Sequence, residues 1–154
     1  MGTQDRVEAK VTHRFNASED EVYDAWLNAE IIRSWMSVDV PGKGMGEVVT
    51  VMTDPYVGGN FLFTDKREGG EARHWGTYKD LHRPRRIVFT WITAEDQEEN
   101  PSIVTIVLLR HPDGGTAVTL THEMDAEWAD YVGQTEKGWG VMLTQISTLL
   151  DRPF

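Results

Sequence analysis

The sequence predicts an α+β fold: a curved antiparallel sheet of about seven strands, two short helices after the first strand, and one long helix closing the chain. Three observations carry this prediction. An N-terminal stretch alternates strictly in polarity, the period of a half-buried strand. The middle of the chain is a series of apolar segments separated by tight turn signals. The C-terminal stretch repeats apolar residues at the three- and four-residue spacing of an amphipathic helix.

Taken in order, "VEAKVTHRF" sets Val7, Ala9, Val11, His13 and Phe15 against Glu8, Lys10, Thr12 and Arg14, which places His13 on the inner face of the first strand. In "SEDEVYDAWL", Ser18 and Glu21 have capping-box spacing, and Val22 and Trp26 share one helical face. Asn28 can cap a second short helix, "AEIIRSWM", that buries Ile32 and Trp35. From about Glu47 the text turns to strands: "EVVTVM", then "DPYVGGNFLFTD" with its Gly58-Gly59 turn, "HWGTYKDL", "RIVFTWIT", "SIVTIVLLR" and "TAVTLTHEM". Connections this short favour an antiparallel meander. The closing "GWGVMLTQISTLLDRPF" carries Trp139, Met142, Leu143, Ile146, Leu149 and Leu150 on a helix expected to start near Thr135. Leu143, Ile146 and Leu150 suit packing on the sheet, whereas Trp139 and Met142 suit a cavity wall. A straight helix cannot sit flush on a strongly curved sheet, so a mostly apolar cavity is expected between them.

Composition narrows the function. The chain has 154 residues, the size of one domain, read as residues 1–154 without an internal boundary. It has no cysteine, which removes disulfides, thiolate metal sites and cysteine nucleophiles, and suits a cytoplasmic location. A formal charge of −10 disfavours nucleic acid and anionic membrane surfaces as partners. The start "MGTQDRVEAK" has no apolar core of a signal peptide, and no apolar run suits a membrane span.

The chemical motifs are sparse. "VPGKGMGEV" has G-x-G-x-G spacing but runs into a strand instead of a helix, so it reads as a loop at the cavity mouth and not as a phosphate cradle. "AEDQEEN" reads as a solvated hairpin loop, and no motif requires a cofactor. None of the five histidines has metal-ligand spacing, so no metal is expected. His82 and His111 fall in turns; His13 and His122 fall on apolar strand faces, where an imidazole can anchor a ligand. Asp80 lies at period two from Gly76 and Tyr78, which leaves open whether it faces the cavity or solvent. The serines, Ser102 among them, have no nucleophile-elbow context. Aromatic residues give the stronger signal. Trp35, Phe61, Phe63, Trp75, Tyr78, Phe89, Trp91 and Trp139 are spread over almost every element, more large rings than a core of this size requires. With His13, His122 and Met142 they form the candidate ligand-binding set; no residue is assigned a catalytic role.

Several stretches in order carry a resemblance: "FNASEDEVYDAWLNAEIIRSWM", "DPYVGGNFLF", "HWGTYKDLHRPRRIVFTW", "TIVLLRHPDGGTAVTLTHEM" and "GWGVMLTQISTLL". They resemble the helix-grip (START/Bet v 1-like, SRPBCC) superfamily, and within it the relatives of the C-terminal domain of the activator of Hsp90 ATPase. Members often carry Pro where this chain has Ser18 and Ala29, and Arg where it has His13, Tyr56 and Asn60. The latter three change the charge expected of the pocket, so a family ligand preference does not transfer. The resemblance implies a fold more than a function. Three functions stay open: binding of a small apolar or aromatic molecule, a cyclase, dehydratase or lyase using His13, His122, Tyr78 or Asp80 to move protons, and a co-chaperone-like interaction module. A homodimer and a chaperone contact are left open, the latter without support in the residues.

Overall fold

A computed structural model describes residues 6–151. Residues 1–5, half of the stretch read as lacking a signal peptide, lie outside the described residues. β1 (Arg6–Phe15) is followed by α1 (Glu19–Leu27) and α2 (Ala29–Met36), then by β2 (Val48–Thr53), β3 (Asn60–Arg67), β4 (Gly70–His82) and β5 (Arg86–Trp91). β6 (Ser102–Arg110), β7 (Thr116–Asp125) and α3 (Val132–Leu150) complete the chain. The strands form one antiparallel sheet in the order β1-β7-β6-β5-β4-β3-β2. The first two strands therefore lie at opposite edges, and α1 and α2 carry the chain between them.

Local chemistry explains the helices. The Ser18 side chain accepts from Glu21 N while Glu21 returns to the Ser18 backbone, the reciprocal box its spacing predicts. Asn28 ends α1 and begins α2, its side chain accepting from Glu30 N and Ile31 N at 3.0 and 3.1 Å. α3 starts at Val132, three residues before the expected Thr135, because a 3-10 turn over Ala126–Tyr131 feeds directly into it. That turn is capped by Asp125, whose Oδ1 accepts from Glu127 N.

α3 lies on the concave side of the sheet, and its backbone comes closest to β1 and α2. Leu143 and Ile146 are fully buried and Leu150 packs against the same core. Leu149, one turn beyond Gln145, emerges into solvent instead of joining the stripe. Buried Gln145 ties the helix to the end of α2, donating from Nε2 to the carbonyls of Met36 and Val38. Glu136 covers part of the β1 edge by accepting from Lys10 N at 2.9 Å. Between α3 and β3–β5 the space is filled by large rings. Among the described residues no helix is long and apolar enough to cross a membrane.

Candidate functional site

Strand alternation builds the site. β3 turns Phe61 and Phe63 inward, β4 turns His74, Gly76 and Tyr78, and β5 turns Ile87, Phe89 and Trp91. Phe61 is the hub, with ring centroids 5.0 Å from Phe63, 5.4 Å from Tyr78 and from Phe89, and 6.0 Å from Trp91. Opposite Phe61 in the ladder stands Gly76. A Cβ there would lie 1.9 Å from the Thr90 carbonyl oxygen and 2.9 Å from the Phe61 ring, so only glycine allows the ring to lie flat across β4.

Trp139 of α3 joins this cluster to the helices. Its ring is 4.9 Å from Trp91 on the sheet and 6.2 Å from Trp26 on α1, which in turn meets Trp35 at 6.0 Å. The rings pack closely enough that the inner chamber they enclose with Met36, Met45 and Met142 leaves about 20 Å³ open, room for about one water. Above it opens a vestibule of about 340 Å³. His74, Trp91, Trp139 and Met142 belong to both and so form the partition between chamber and vestibule. Gln97, Asn100, Ser102, Asp125, Gln134 and Thr135 supply polar walls above, with Trp128 and Tyr131 at the rim.

Two residues of the chamber wall each carry a buried polar atom with no hydrogen-bond partner in the protein: Tyr78 Oη and Trp26 Nε1. Burial, with Asp54 nearby, pushes the Tyr78 phenol far above its usual range, so it remains a neutral donor. The neighbouring Trp35 indole, by contrast, donates to the Ala25 carbonyl at 2.7 Å.

The vestibule floor holds a connected relay. Trp139 Nε1–H donates to His122 Nδ1 at 2.9 Å, and His122 Nε2 lies 2.8 Å from Ser102 Oγ. Ser102 Oγ donates to the Trp91 carbonyl at 2.7 Å. An indole N–H can only donate, so Nδ1 must accept and the proton of the neutral ring sits on Nε2. Nε2–H then donates to Ser102. Burial, with Arg6 nearby, pushes His122 down to about 4, so the imidazole stays neutral at physiological pH. In this arrangement His122 gives Ser102 a hydrogen bond instead of accepting its proton, the reverse of an activated serine. The relay positions rings.

Of the residues singled out from sequence, Trp35, Phe61, Phe63, Tyr78, Phe89, Trp91, Trp139 and Met142 line the chamber, and His122 lines the vestibule. His13 and Trp75 line neither. His13 does face inward, but it pairs with Val118 whereas His122 pairs with Ala9, so the two imidazoles sit toward opposite ends of β7. There it packs on Phe15 near Asp151, where burial lowers its pKa against the pull of that carboxylate. Trp75 falls between inward-facing His74 and Gly76, so alternation sends it to the opposite face, under the Arg73 guanidinium.

The structure settles the face of Asp80, which the sequence left open. The β4–β5 register shifts between Tyr78 and Asp80, after which Leu81 opposes buried Ile87 and Asp80 opposes Val88. That bulge turns Asp80 outward, 3.1 Å from His82 and 3.8 Å from Arg86. His13, His122, Tyr78 and Asp80 are thus not assembled as a proton-moving set. Among the described residues no three His, Asp or Glu side chains converge as a metal site requires.

Other site residues escaped the sequence. His74 is at period two from Gly76 and Tyr78, a signal that could have placed it; burial lowers its pKa. Gln97 and Asn100 belong to the loop read as solvated. Gln97 accepts from Thr93 N at 2.9 Å, and Asn100 donates to Asp125 at 3.1 Å, which holds the loop as a vestibule wall.

Comparison with known proteins adds a family. The sequence profile of the Activator of Hsp90 ATPase homolog 1-like proteins matches residues 16–151. No curated protein matches the chain. A protein of unknown function from Staphylococcus aureus superposes with a TM-score of 0.77 at 15% identity, over 93% of this chain and 92% of its own. A Chromobacterium violaceum protein gives 0.76 at 22% identity, over 95% and 99% respectively. One from Rhizobium loti gives 0.71 at 23% identity, over 97% and 100%. These likenesses show the helix-grip fold.

Proposed function

The chain belongs to the Activator of Hsp90 ATPase homolog 1-like family, and on that footing we propose that it binds a small apolar or aromatic molecule between the sheet and α3. The observation that carries this reading is the partition. Rings and a flexible methionine separate a polar-walled vestibule of about 340 Å³ from an apolar chamber whose walls hold two unpartnered donors. Met36, Met45 and Met142 can change rotamer at little cost, so a planar ligand can enter by displacing methionines while the rings stay in place. Such a ligand gains contact with aromatic faces already fixed by the relay.

The test is native mass spectrometry of the purified protein, followed by a thermal-shift screen of aromatic compounds. A bound ligand at a hundredfold excess over Kd should add about 2.7 kcal/mol of stability. Its contacts should appear as shifts of the Trp139 and Trp91 indole N–H resonances. Shifts confined to residues away from the partition would refute the placement.

A further inference from the structure

We propose that the vestibule selects an uncharged, hydroxyl-bearing aromatic molecule and rejects the anionic form of the same skeleton; this deepens, and rests on, the ligand-binding reading above. The charge pattern of the walls carries the argument. Among the described residues that line the vestibule there is no lysine or arginine. Arg6, whose charge acts on His122, is committed to Asn100 Oδ1 and to the carbonyls of Pro101 and Glu123. Arg67, which acts on His74, is held by Asp65 at 2.7 Å. His122 cannot become a cation without placing a second N–H against that of Trp139. A carboxylate or phosphate entering here would lose its hydration and meet no positive partner.

The pattern also disfavours a cation. The one acidic lining residue, Asp125, already accepts from Glu127 N with Oδ1 and from Asn100 with Oδ2. The exposed rings of Trp128 and Tyr131 pack on each other at 5.5 Å, tilted by 59°, and so do not open as an aromatic box. What remains are the amide N–H groups of Gln97, whose oxygen Thr93 already occupies, and the amide and hydroxyl of Gln134 and Thr135, standing over the mutually tilted rings of Trp91 and Trp139. Together such groups both donate and accept, which matches a hydroxyl. Deeper in, the unpartnered groups are the Tyr78 phenol, which can donate or accept, and the Trp26 indole, which can only donate; neither carries the negative charge that would favour an ammonium.

The test is calorimetric titration of the full chain at neutral pH with three probes sharing one ring system: 2-naphthol, 2-naphthoate and 2-naphthylmethylammonium. The expected result is binding of 2-naphthol at least about tenfold tighter than either charged probe. Equal or tighter binding of 2-naphthoate or of the ammonium overturns the selectivity and leaves ligand binding standing. Failure of all three, with no thermal shift from any of them, overturns both. A variant guards against a weak probe. Gln134 is exposed, so Gln134→Lys should fold normally and raise 2-naphthoate affinity severalfold without a matching gain for 2-naphthol. An unchanged ratio of the two affinities in that variant also overturns the proposal.

Discussion

Tyr78, in the wall of an apolar chamber, buries a phenol hydroxyl with no partner in the protein, and this makes a sharp expectation possible. Leaving such a group unpaired costs about 1–3 kcal/mol, whereas a phenylalanine of the same shape carries no such cost. Tyr78→Phe should therefore raise stability by about 1 kcal/mol, seen as a higher midpoint in denaturant unfolding with an unchanged slope. The same variant should bind an oxygen-bearing aromatic less tightly, because one of the two deep donors is gone. A loss of stability would show instead that the hydroxyl is hydrogen-bonded in solution. Ring positions such as Phe61, Phe89, Trp91 and Trp139 could be read from the sequence, because large apolar rings at strand and helix periods must be covered. Partnering could not. That Trp35 finds the Ala25 carbonyl while Trp26 finds nothing depends on how two tandem helices meet.

The elements were legible where one period ran undisturbed. β1 and β7 alternate cleanly, and Ser18, Glu21 and Asn28 announce the two short helices through capping chemistry alone. Legibility stopped at the bulge in β4, because one extra residue there leaves no mark in the polarity of "GTYKDLH" yet reverses every later side chain. Gly76 shows the opposite case, a residue whose necessity becomes visible only when β4, β5 and Phe61 are assembled. Gly76→Ala would drive a Cβ into the Thr90 carbonyl and the Phe61 ring together, with backbone on one side that cannot yield cheaply. Its expected cost is about 2–3 kcal/mol, the upper part of the range for overpacking a tight core. Near-UV circular dichroism should also fall, since the displaced ring is the hub of the aromatic cluster. A variant as stable as the parent would mean that the two strands part without strain.

At the scale of the whole molecule, curvature is what the sequence implied but could not dimension. It predicted a gap between helix and sheet, and the structure divides that gap into a filled chamber and an open vestibule with the neutral His122 imidazole on the vestibule floor. That imidazole couples the site to global stability through pH. His122 takes up a proton near its ordinary value of about 6.5 when the chain is unfolded, but only at about 4 when folded. Between these values the unfolded chain holds the extra proton, so stability falls as pH drops through the window and is unaffected by this group above it. The full loss is about 3 kcal/mol, and the lowered pKa values of His13 and His74 act in the same direction. Another effect runs alongside: relief of self-repulsion in a chain of net charge −10 opposes the fall. A difference measurement separates them: thermal unfolding of the parent and of His122→Asn, from neutral pH down to the acid limb. Asn can still accept from Trp139 but does not titrate, so the gap between the two curves should change in favour of the variant by about 3 kcal/mol across the window. Parallel curves would mean that His122 accepts a proton within the fold, and that the Trp139–His122 bond does not hold the ring neutral.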